Sequence, residues 1–348
     1  MLKSSYKNES KLTRRTLLKS SGVAAALGVT GFGTARAAPS QMVMANGGGK
    51  LEEAYRKAIF NPWKDKTGTN IVSTGNDGGR LKSMVEQKRV EWDLMQGPAE
   101  GLVVFGRQGL LEPIDYSVVD RSKLVPGTAH STFVMTDFAA YCVGWNTKNV
   151  TRNQPKSWRE LWALDGRIGL WKRPFQSMEV ALLADGVELK NLYPLDVDRA
   201  FASLDKIKKK LVWWNSGAQG AQLLLDGEID AGAIWNGRVH DPKLAGAPVD
   251  FHFNQALLVS DAWGIPKGAP NKADAMKLLA YAVSPEAQAA FAKLIPYGPV
   301  NPAALPLLDD RTKSGLPTAG PTNVGLDVDF WAEKGPAIVE RFNKWILG

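Results

Sequence analysis

The sequence predicts an α/β protein of two lobes that are joined by crossing strands, with a cleft between them. Three observations predict this class: an alternation of strands and helices over residues 42–98, long apolar segments at 138–146 and 256–261, and the 311 residues that follow residue 37. The alternation implies a parallel sheet with helices on its faces. The length is sufficient for two lobes with separate cores.

Residues 1–37 have the pattern of a cleavable export signal and are set aside from the fold. A basic stretch precedes a Gly/Ala-rich apolar segment at 20–34, and the A-R-A tripeptide at 35–37 is a typical cleavage site. Arg14 and Arg15 precede the apolar segment as in a twin-arginine signal, which predicts export to the periplasm; general secretion is the alternative. The apolar segment has about 15 residues, too few to span a bilayer.

The net charge falls almost to neutral once this signal is removed. The whole chain has 43 Lys+Arg and 35 Asp+Glu, and residues 1–37 hold seven of the bases and one of the acids, which leaves +2. That balance argues against a nucleic-acid partner. Cys142 is the only cysteine, which excludes a disulfide framework, and the three histidines lack acids at metal-ligand spacing. We therefore expect no cofactor, no metal site and no enzyme activity.

The first lobe is predicted from strands that end in polar or glycine-rich turns. Strands at 42–45, 70–73 and 92–95 alternate with helices at 51–63 and 80–88. Ligands collect at the carboxyl ends of strands in such sheets. The candidate binding residues at these ends are Asn46, Gly48, Asn76 and Gln96.

The second lobe is predicted between the two crossing strands. A capping box at residues 157–160 begins one of its helices, and a long helix is predicted at 328–347. The predicted boundaries are 38–139 and 261–298 for lobe 1, and 140–260 and 299–348 for lobe 2. Two crossings between two α/β lobes are typical of the hinged type II periplasmic-binding-protein fold.

The segment after the second crossing combines an acid, two helices and an aromatic loop. Asp261 ends the crossing strand, a helix is predicted at 272–282, and a second helix begins with Ser284 as N-cap and Pro285 at its first position. Tyr297 follows this pair of helices. An acid at a strand end, with an aromatic residue brought back beside it, is suited to form the wall of a small pocket.

This segment and the I-W-N-G motif at 234–237 resemble the spermidine/putrescine-binding proteins of bacterial ABC importers, over nearly all of the mature chain. The resemblance implies that Trp235 packs on ligand methylenes, Asp261 pairs with an ammonium group, and Asn236 and Tyr297 are further contacts. An indole face attracts a cation by about 0.5–2 kcal/mol, and a carboxylate adds a charge-assisted hydrogen bond. It further implies a monomeric periplasmic protein that captures an amine such as putrescine or spermidine and delivers it to a membrane permease.

Two positions differ from that family's pattern. Where polyamine binders have acids, this chain has Arg173 and Gln176. A guanidinium repels a second ammonium group but binds a carboxylate through two hydrogen bonds. One alternative ligand is therefore an ω-amino acid such as γ-aminobutyrate, held between Asp261 and Arg173. An anion or metal-chelate binder on the same fold, using Arg173 and the glycine loops without Asp261, is a further alternative.

Overall fold

The described part of the protein, residues 39–317 and 322–348 of a computed structural model, alternates strands and helices along most of its length. In chain order the strands are β1 (Gln41–Asn46), β2 (Asn70–Gly75), β3 (Leu94–Pro98), β4 (Phe133–Met135), β5 (Ala139–Asn146), β6 (Ile168–Trp171), β7 (Leu211–Trp214), β8 (Ala231–Trp235), β9 (Val249–Val259), β10 (Asp261–Gly264) and β11 (Val324–Gly325). The α-helices are α1 (Gly49–Tyr55), α2 (Asn61–Thr67), α3 (Gly78–Glu86), α4 (Ala99–Arg107), α5 (Trp158–Ala163), α6 (Ser177–Ala184), α7 (Val197–Ile207), α8 (Gly217–Leu225), α9 (Asn236–Leu244), α10 (Lys272–Ala282), α11 (Pro285–Ala292), α12 (Asp310–Ser314) and α13 (Val328–Trp345). The predicted export signal, residues 1–37, lies outside the described residues.

These strands form two sheets within the described residues, and the chain changes sheet at two short crossings. The first sheet has the order β2-β1-β3-β10-β4, in which β1 to β3 are parallel and β10 is antiparallel to both of its neighbours. The second sheet has the order β11-β9-β5-β8-β6-β7. The first crossing is residues 136–138, between β4 and β5, and the second is Ser260, between β9 and β10. This arrangement confirms the predicted fold class.

Several helices have the bounds that local sequence patterns predicted, and one predicted helix is interrupted by a π-helical turn. Helix α10 has its predicted bounds, and Ser284 caps α11 by accepting a hydrogen bond from the Ala287 amide. The helix predicted at 51–63 instead runs through α1 and α2 with a π-helical turn at Arg56–Phe60 between them. The wider turn brings Tyr55 and Phe60 to the same buried indole, since their ring centroids lie 5.2 Å and 6.3 Å from that of Trp263.

The second crossing strand is longer than predicted and ends earlier. Strand β9 begins at Val249 and ends before Ser260, so Asp261 is the first residue of β10 and not the end of the crossing strand. Gln255 has φ of 57° inside β9, and the pairing of β5 with β9 shifts register opposite it. A bulge of this kind bends a strand and breaks its alternation, which explains why the apolar pattern alone identified only residues 256–261.

The C-terminal helix α13 contacts helices on both sides of the fold. Asp329 near its start pairs with Arg107 of α4 at 2.6 Å, and further along Phe342 packs on Phe201 of α7. The residue boundaries of the lobes, and of lobe 2 at 299–348 in particular, therefore stay a prediction. Within the described ranges, none of the helices is both long enough and apolar enough to cross a membrane.

A buried acid connects α13 to α6. Glu179 is fully buried, and its Oε1 accepts hydrogen bonds from Tyr193 Oη and Trp331 Nε1, each at 2.6 Å. Its Oε2 atom is buried without a hydrogen-bond partner in the described chain. Burial raises the pKa of Glu179 to about 7, against the lowering effect of these two hydrogen bonds.

Candidate ligand-binding site

The polar residues predicted at the strand ends of the first sheet form one connected set of hydrogen bonds. Gln96 Oε1 accepts from the Gly47 amide at 3.1 Å, and Gln96 Nε2 donates to Asp261 Oδ1 at 2.6 Å. Asn76 Nδ2 donates to the Gln96 carbonyl at 2.8 Å. Asn46 Oδ1 accepts from the Gly48 amide at 2.9 Å. The Asn76 amide also donates to the Asn46 carbonyl at 3.2 Å, so these contacts join the four predicted residues to Asp261.

One amide group in this set is free to receive a ligand. Asn46 is 2% exposed, and its Nδ2 is buried without a partner among the described residues. Gly48 has φ of 70°, a conformation that favours glycine, and a Cβ added there would meet nothing within 4 Å. Glycine is therefore favoured at this position by its positive φ angle, and not by a lack of space for a side chain.

The acid at the centre of the set belongs to a pair of carboxyl groups. Asp137, on the first crossing, is 1% exposed, and its Oδ1 accepts from the Asp261 amide at 3.4 Å. Burial raises the pKa of Asp261 to about 6, although the hydrogen bond from Gln96 acts in the opposite direction. Burial, and then the negative charge of Asp261, raise the pKa of Asp137 well above its ordinary value. Asp137 lies in no sequence motif that indicated a binding role.

Aromatic side chains from the second sheet form a cluster around Trp235. The Trp235 ring centroid lies 5.0 Å from that of Trp171, 5.2 Å from Trp214 and 5.8 Å from Tyr141. Trp214 and Tyr141 are fully buried, whereas Trp171 and Trp235 keep part of their surface exposed. Buried rings thus fix the orientation of two indoles that offer apolar surface.

Tyr297 lies against the first turn of α9. A Cβ added to Gly237 would come within 2.9 Å of Tyr297 Cε1, so glycine is required for the ring to approach the helix this closely. Burial raises the pKa of Tyr297, the charges of Asp261 and Asp137 raise it further, and Arg238 opposes them. The ring therefore lies near enough to the two acids and to Arg238 for the charges of all three to act on its hydroxyl.

Arg238 is a candidate binding residue that the sequence patterns did not indicate. It is the residue directly after the I-W-N-G motif, on α9, and shares a small cavity with Lys50, Gly237 and Tyr297. Its Nε lies 3.0 Å from the position a Cβ would occupy on Gly217 at the start of α8. Lys50 of α1 reaches towards the same helix, with its Nζ 3.4 Å from Asp241 Oδ2. Its position directly after the I-W-N-G motif is the feature of the sequence from which Arg238 could have been predicted.

The two predicted residues near α6 have different surroundings. Arg173 is exposed in the turn after β6, and no hydrogen bond or ion pair of its guanidinium occurs in the described part of the chain. Gln176 is 5% exposed, has φ of 63°, and its Oε1 is buried without a partner in that same part. Gln176 thus offers a free acceptor, whereas no contact connects Arg173 to Asp261.

Asn236 has structural contacts that occupy its side-chain amide. It is fully buried; its Oδ1 accepts from the Ala140 amide at 2.9 Å, and its Nδ2 donates to the Pro296 and Gly315 carbonyls at 2.5 Å and 3.0 Å. These contacts tie β5, the approach to Tyr297 and the end of α12 together. We therefore remove Asn236 from the set of ligand contacts, because its amide has no donor left for a ligand.

We expect Asn236→Ala to lower the free energy of unfolding by about 3 kcal/mol, since it leaves three buried backbone groups without partners. Denaturant unfolding measures this loss, and Asn254→Ala, which removes a single exposed hydrogen bond, is the control with an expected loss below about 0.5 kcal/mol. A stable Asn236→Ala variant with abolished ligand binding would restore Asn236 as a direct contact.

Within residues 39–317 and 322–348, no group of three or more His, Cys, Asp or Glu side chains is arranged to hold a metal ion. A larger groove of about 450 Å³ runs along β2 and shares Asn46 and Gly48 with the site. Asp261, Trp235 and Tyr297 are not among its lining residues. The cavity of about 50 Å³ beside Arg238 and Tyr297 also lacks Asp261 and Trp235, so the candidate site is defined by its polar and aromatic side chains and not by one cavity.

The fold and this candidate site are those of a protein that binds a small solute. The chain belongs to the bacterial extracellular solute-binding protein family, which it matches over residues 62–317. It is the solute-binding component of an ABC transporter.

Three similar proteins match nearly the whole chain. A γ-aminobutyric acid-binding protein of Pseudomonas aeruginosa is 34% identical over 334 residues, which cover 90% of this chain and 94% of that protein. A solved GABA receptor is 36% identical with a TM-score of 0.83, over 88% of this chain and 97% of the other. A solved ABC transporter substrate-binding protein of Bradyrhizobium japonicum is 34% identical with a TM-score of 0.82, over 88% of this chain and 99% of the other.

The resemblance to polyamine-binding proteins is confirmed for the transport role and not for the solute. The spermidine/putrescine-binding periplasmic protein of Escherichia coli is 27% identical over 214 residues, which cover 58% of this chain and 61% of that protein. The γ-aminobutyric acid-binding protein matches more of the chain at a higher identity. The departure from the polyamine pattern that the sequence indicated at residues 173 and 176 agrees with the higher identity to the γ-aminobutyric acid-binding protein.

Proposed function

We propose that this protein captures a short ω-amino acid, of which γ-aminobutyrate is the best example, in the cleft between its two sheets. The observation that carries the proposal is the position of Tyr297 within electrostatic reach of both a carboxyl pair and Arg238. A zwitterion with charges at its two ends matches an acid and a guanidinium that both lie near one aromatic ring. The name of the Pseudomonas aeruginosa relative supports the same ligand class.

Asp261 would bind the ammonium end of the ligand. Its carboxylate is oriented by Gln96 at 2.6 Å, and a charge-assisted hydrogen bond in a site with little water is among the stronger polar contacts. Trp235 and Tyr297 would pack on the methylene chain. Asn46 Nδ2 and Gln176 Oε1 are free buried polar atoms that would complete the hydrogen bonds of the ligand.

Arg238, and not Arg173, would bind the carboxylate end. A guanidinium matches a carboxylate by two parallel hydrogen bonds, and Arg238 shares its cavity with Tyr297. This proposal retains the zwitterionic ligand and its contact with Asp261 that the sequence predicted. It replaces Arg173 with Arg238 as the residue that binds the carboxylate. Among the described residues, Arg173 is not part of the lining of this cavity.

The proposed mechanism is hinged closure about the two crossings. The ligand binds between the lobes, favours the closed form by its higher affinity for it, and the closed form docks on a permease of the inner membrane. We further propose that the protein acts as a monomer in the periplasm after twin-arginine export. The predicted lobe boundaries at 139 and 260 would coincide with the moving parts.

Titration calorimetry with γ-aminobutyrate, putrescine, spermidine and butyrate tests the ligand assignment. We expect γ-aminobutyrate to bind at about micromolar Kd, roughly −8 kcal/mol, and each compound that lacks one of its two charges to bind at least about 100-fold more weakly, since an unpaired buried charge costs several kcal/mol. Tight putrescine binding with γ-aminobutyrate silent would instead establish a polyamine binder.

The pair Arg238→Ala and Arg173→Ala tests the guanidinium in the same experiment. We expect the first variant to weaken γ-aminobutyrate binding by about 30- to 100-fold, the loss of one charge-assisted pair, and the matched second variant to stay within about threefold of the wild type. The reverse order of effects would return the carboxylate contact to Arg173.

A further inference from the structure

Asp137 is a buried carboxyl group that has no part in the proposed ligand contacts. It lies on the first crossing, and its carboxylate faces the second crossing through the 3.4 Å contact with the Asp261 amide. Thr136 strengthens this connection, because its amide and hydroxyl both donate to the Asp261 carbonyl, at 2.9 Å and 3.3 Å. The peptide groups on both sides of the Asp261 side chain are thus held by the neighbouring crossing.

We propose that Asp137 is a positioning residue for Asp261: it remains protonated, holds the Asp261 backbone against the first crossing, and leaves Asp261 as the single anion that meets the ligand's ammonium group. This inference rests on the proposed function, because it takes Asp261 as the ammonium contact. It assigns the two acids of the pair different protonation states and different roles.

The neighbours of the pair determine which acid holds the proton. The charge of Asp261 acts on the buried Asp137 carboxyl, and two carboxylates that repel each other in this way share one proton over a wide pH range. Gln96 Nε2 donates to Asp261 and so favours its anion, whereas Asp137 is 1% exposed and its side-chain neighbour is the Thr136 hydroxyl at 3.3 Å. The proton therefore belongs to Asp137.

The remaining titratable groups around the pair do not reverse this order. The groups that interact electrostatically with Asp261 from other elements are Tyr55 of α1, Glu100 of α4 and Tyr297 after α11, and Arg238 acts on Tyr297. The tyrosines are neutral at ordinary pH, and Glu100 adds negative charge when it ionises. In the described part of the chain, no cationic side chain is among the groups that shift the pKa of either carboxyl.

The location at the crossings gives this arrangement a further role. The two crossings are the segments about which the proposed hinge must turn, and the Asp137 contact joins one to the other. The carboxylate that recognises the ligand is therefore fixed to the hinge itself. A neutral acid can hold it there without competing for the ammonium group.

Titration calorimetry with γ-aminobutyrate from pH 5 to pH 8 tests the proposal on Asp137→Asn and Asp137→Ala. The Asn side chain is neutral and still has an acceptor for the Asp261 amide, so we expect affinity within about threefold of wild type. The pH midpoint of binding should also be unchanged, near pH 6, below which protonation of Asp261 weakens binding. Ala removes the acceptor, and we expect about a tenfold loss of affinity in the folded variant. Thermal unfolding establishes that each variant is folded.

Asp93→Asn is the matched control for replacing a buried acid of the same sheet. Asp93 is also 1% exposed, and it accepts from the Val43 and Asn271 amides at 2.8 Å and 2.9 Å, away from the site. We expect it to change stability and leave affinity unchanged. A loss of more than about 30-fold in folded Asp137→Asn, about 2 kcal/mol, would show a charged Asp137 and overturn the proposal, as would wild-type affinity in Asp137→Ala.

A ligand-independent measurement separates this proposal from the ligand assignment. Carboxyl-carbon NMR of the ligand-free protein, with the signal identified by Asp137→Asn, should show Asp137 protonated up to pH 7. Titration at an ordinary aspartate midpoint, about pH 4, would overturn the proposal whatever the ligand. If the wild type does not bind γ-aminobutyrate while Asp137 stays protonated, the proposed ligand fails and the protonated acid stands.

Discussion

Asp261→Asn is expected to reduce γ-aminobutyrate affinity by about 100- to 1000-fold while the protein stays folded. The variant leaves the ligand's ammonium group in a desolvated site without a counter-charge, and breaking a buried charge pair in this way costs about 3–5 kcal/mol. The fold should tolerate the change, because the Asn oxygen can still accept from Gln96 Nε2, the present partner at 2.6 Å.

Calorimetry of the variant, with thermal unfolding in parallel, measures the two expectations separately. Asp198→Asn is a matched control: Asp198 is an exposed acid on α7 whose partner is Arg341, and we expect its removal to change affinity by less than about threefold. Equal affinities in wild type and Asp261→Asn would place the ammonium contact elsewhere.

Glu179→Gln is expected to remove a large part of the pH dependence of stability. Burial raises the pKa of Glu179 from 4.5 to about 7 in the folded protein, so the folded state holds this proton more tightly than the unfolded state. The free energy of unfolding should therefore fall as pH rises from about 4.5 to above 7, and this residue alone contributes about 3 kcal/mol to the fall. The Gln oxygen can accept from Tyr193 and Trp331 without the charge.

Denaturant unfolding at pH 5 and pH 8 measures this effect as a difference between variant and wild type. The other buried acids titrate in both proteins and cancel in the difference. Glu179→Ala serves as control, since it should lose the two hydrogen bonds and destabilise the protein at both pH values. A wild-type slope that persists in Glu179→Gln would mean that Glu179 is not the acid responsible.

The elements that sequence could predict are those with a local cause. Ser284 and Pro285 specify the start of α11 through capping geometry and a fixed φ angle, and the apolar spacing of α10 gave its bounds. The bulge in β9 was not predictable, because it depends on the partner strand β5 and on Gln255 at positive φ. Local chemistry was sufficient for the fold class and not for every strand end.

The site was predictable in part for the same reason. The residues at the strand ends were found, since parallel strands bring their carboxyl ends together. Asn236 and Arg238 adjoin the same motif, and only the folded chain distinguishes a buried amide bonded to three backbone groups from a guanidinium beside Tyr297. Asp137 carries no motif, and its proximity to Asp261 follows from two crossings more than 120 residues apart in sequence.

The contact between Lys50 and Asp241 has a kinetic consequence. It joins a helix beside the first sheet to a helix beside the second, at 3.4 Å, with side chains that are 70% and 52% exposed. Such exposed pairs contribute at most about 1 kcal/mol, so this one cannot hold a closed molecule shut by itself. On the hinged-closure proposal, the lifetime of the closed form is therefore set by the residence time of the solute. The permease would then distinguish loaded from empty protein by how long the closed form lasts.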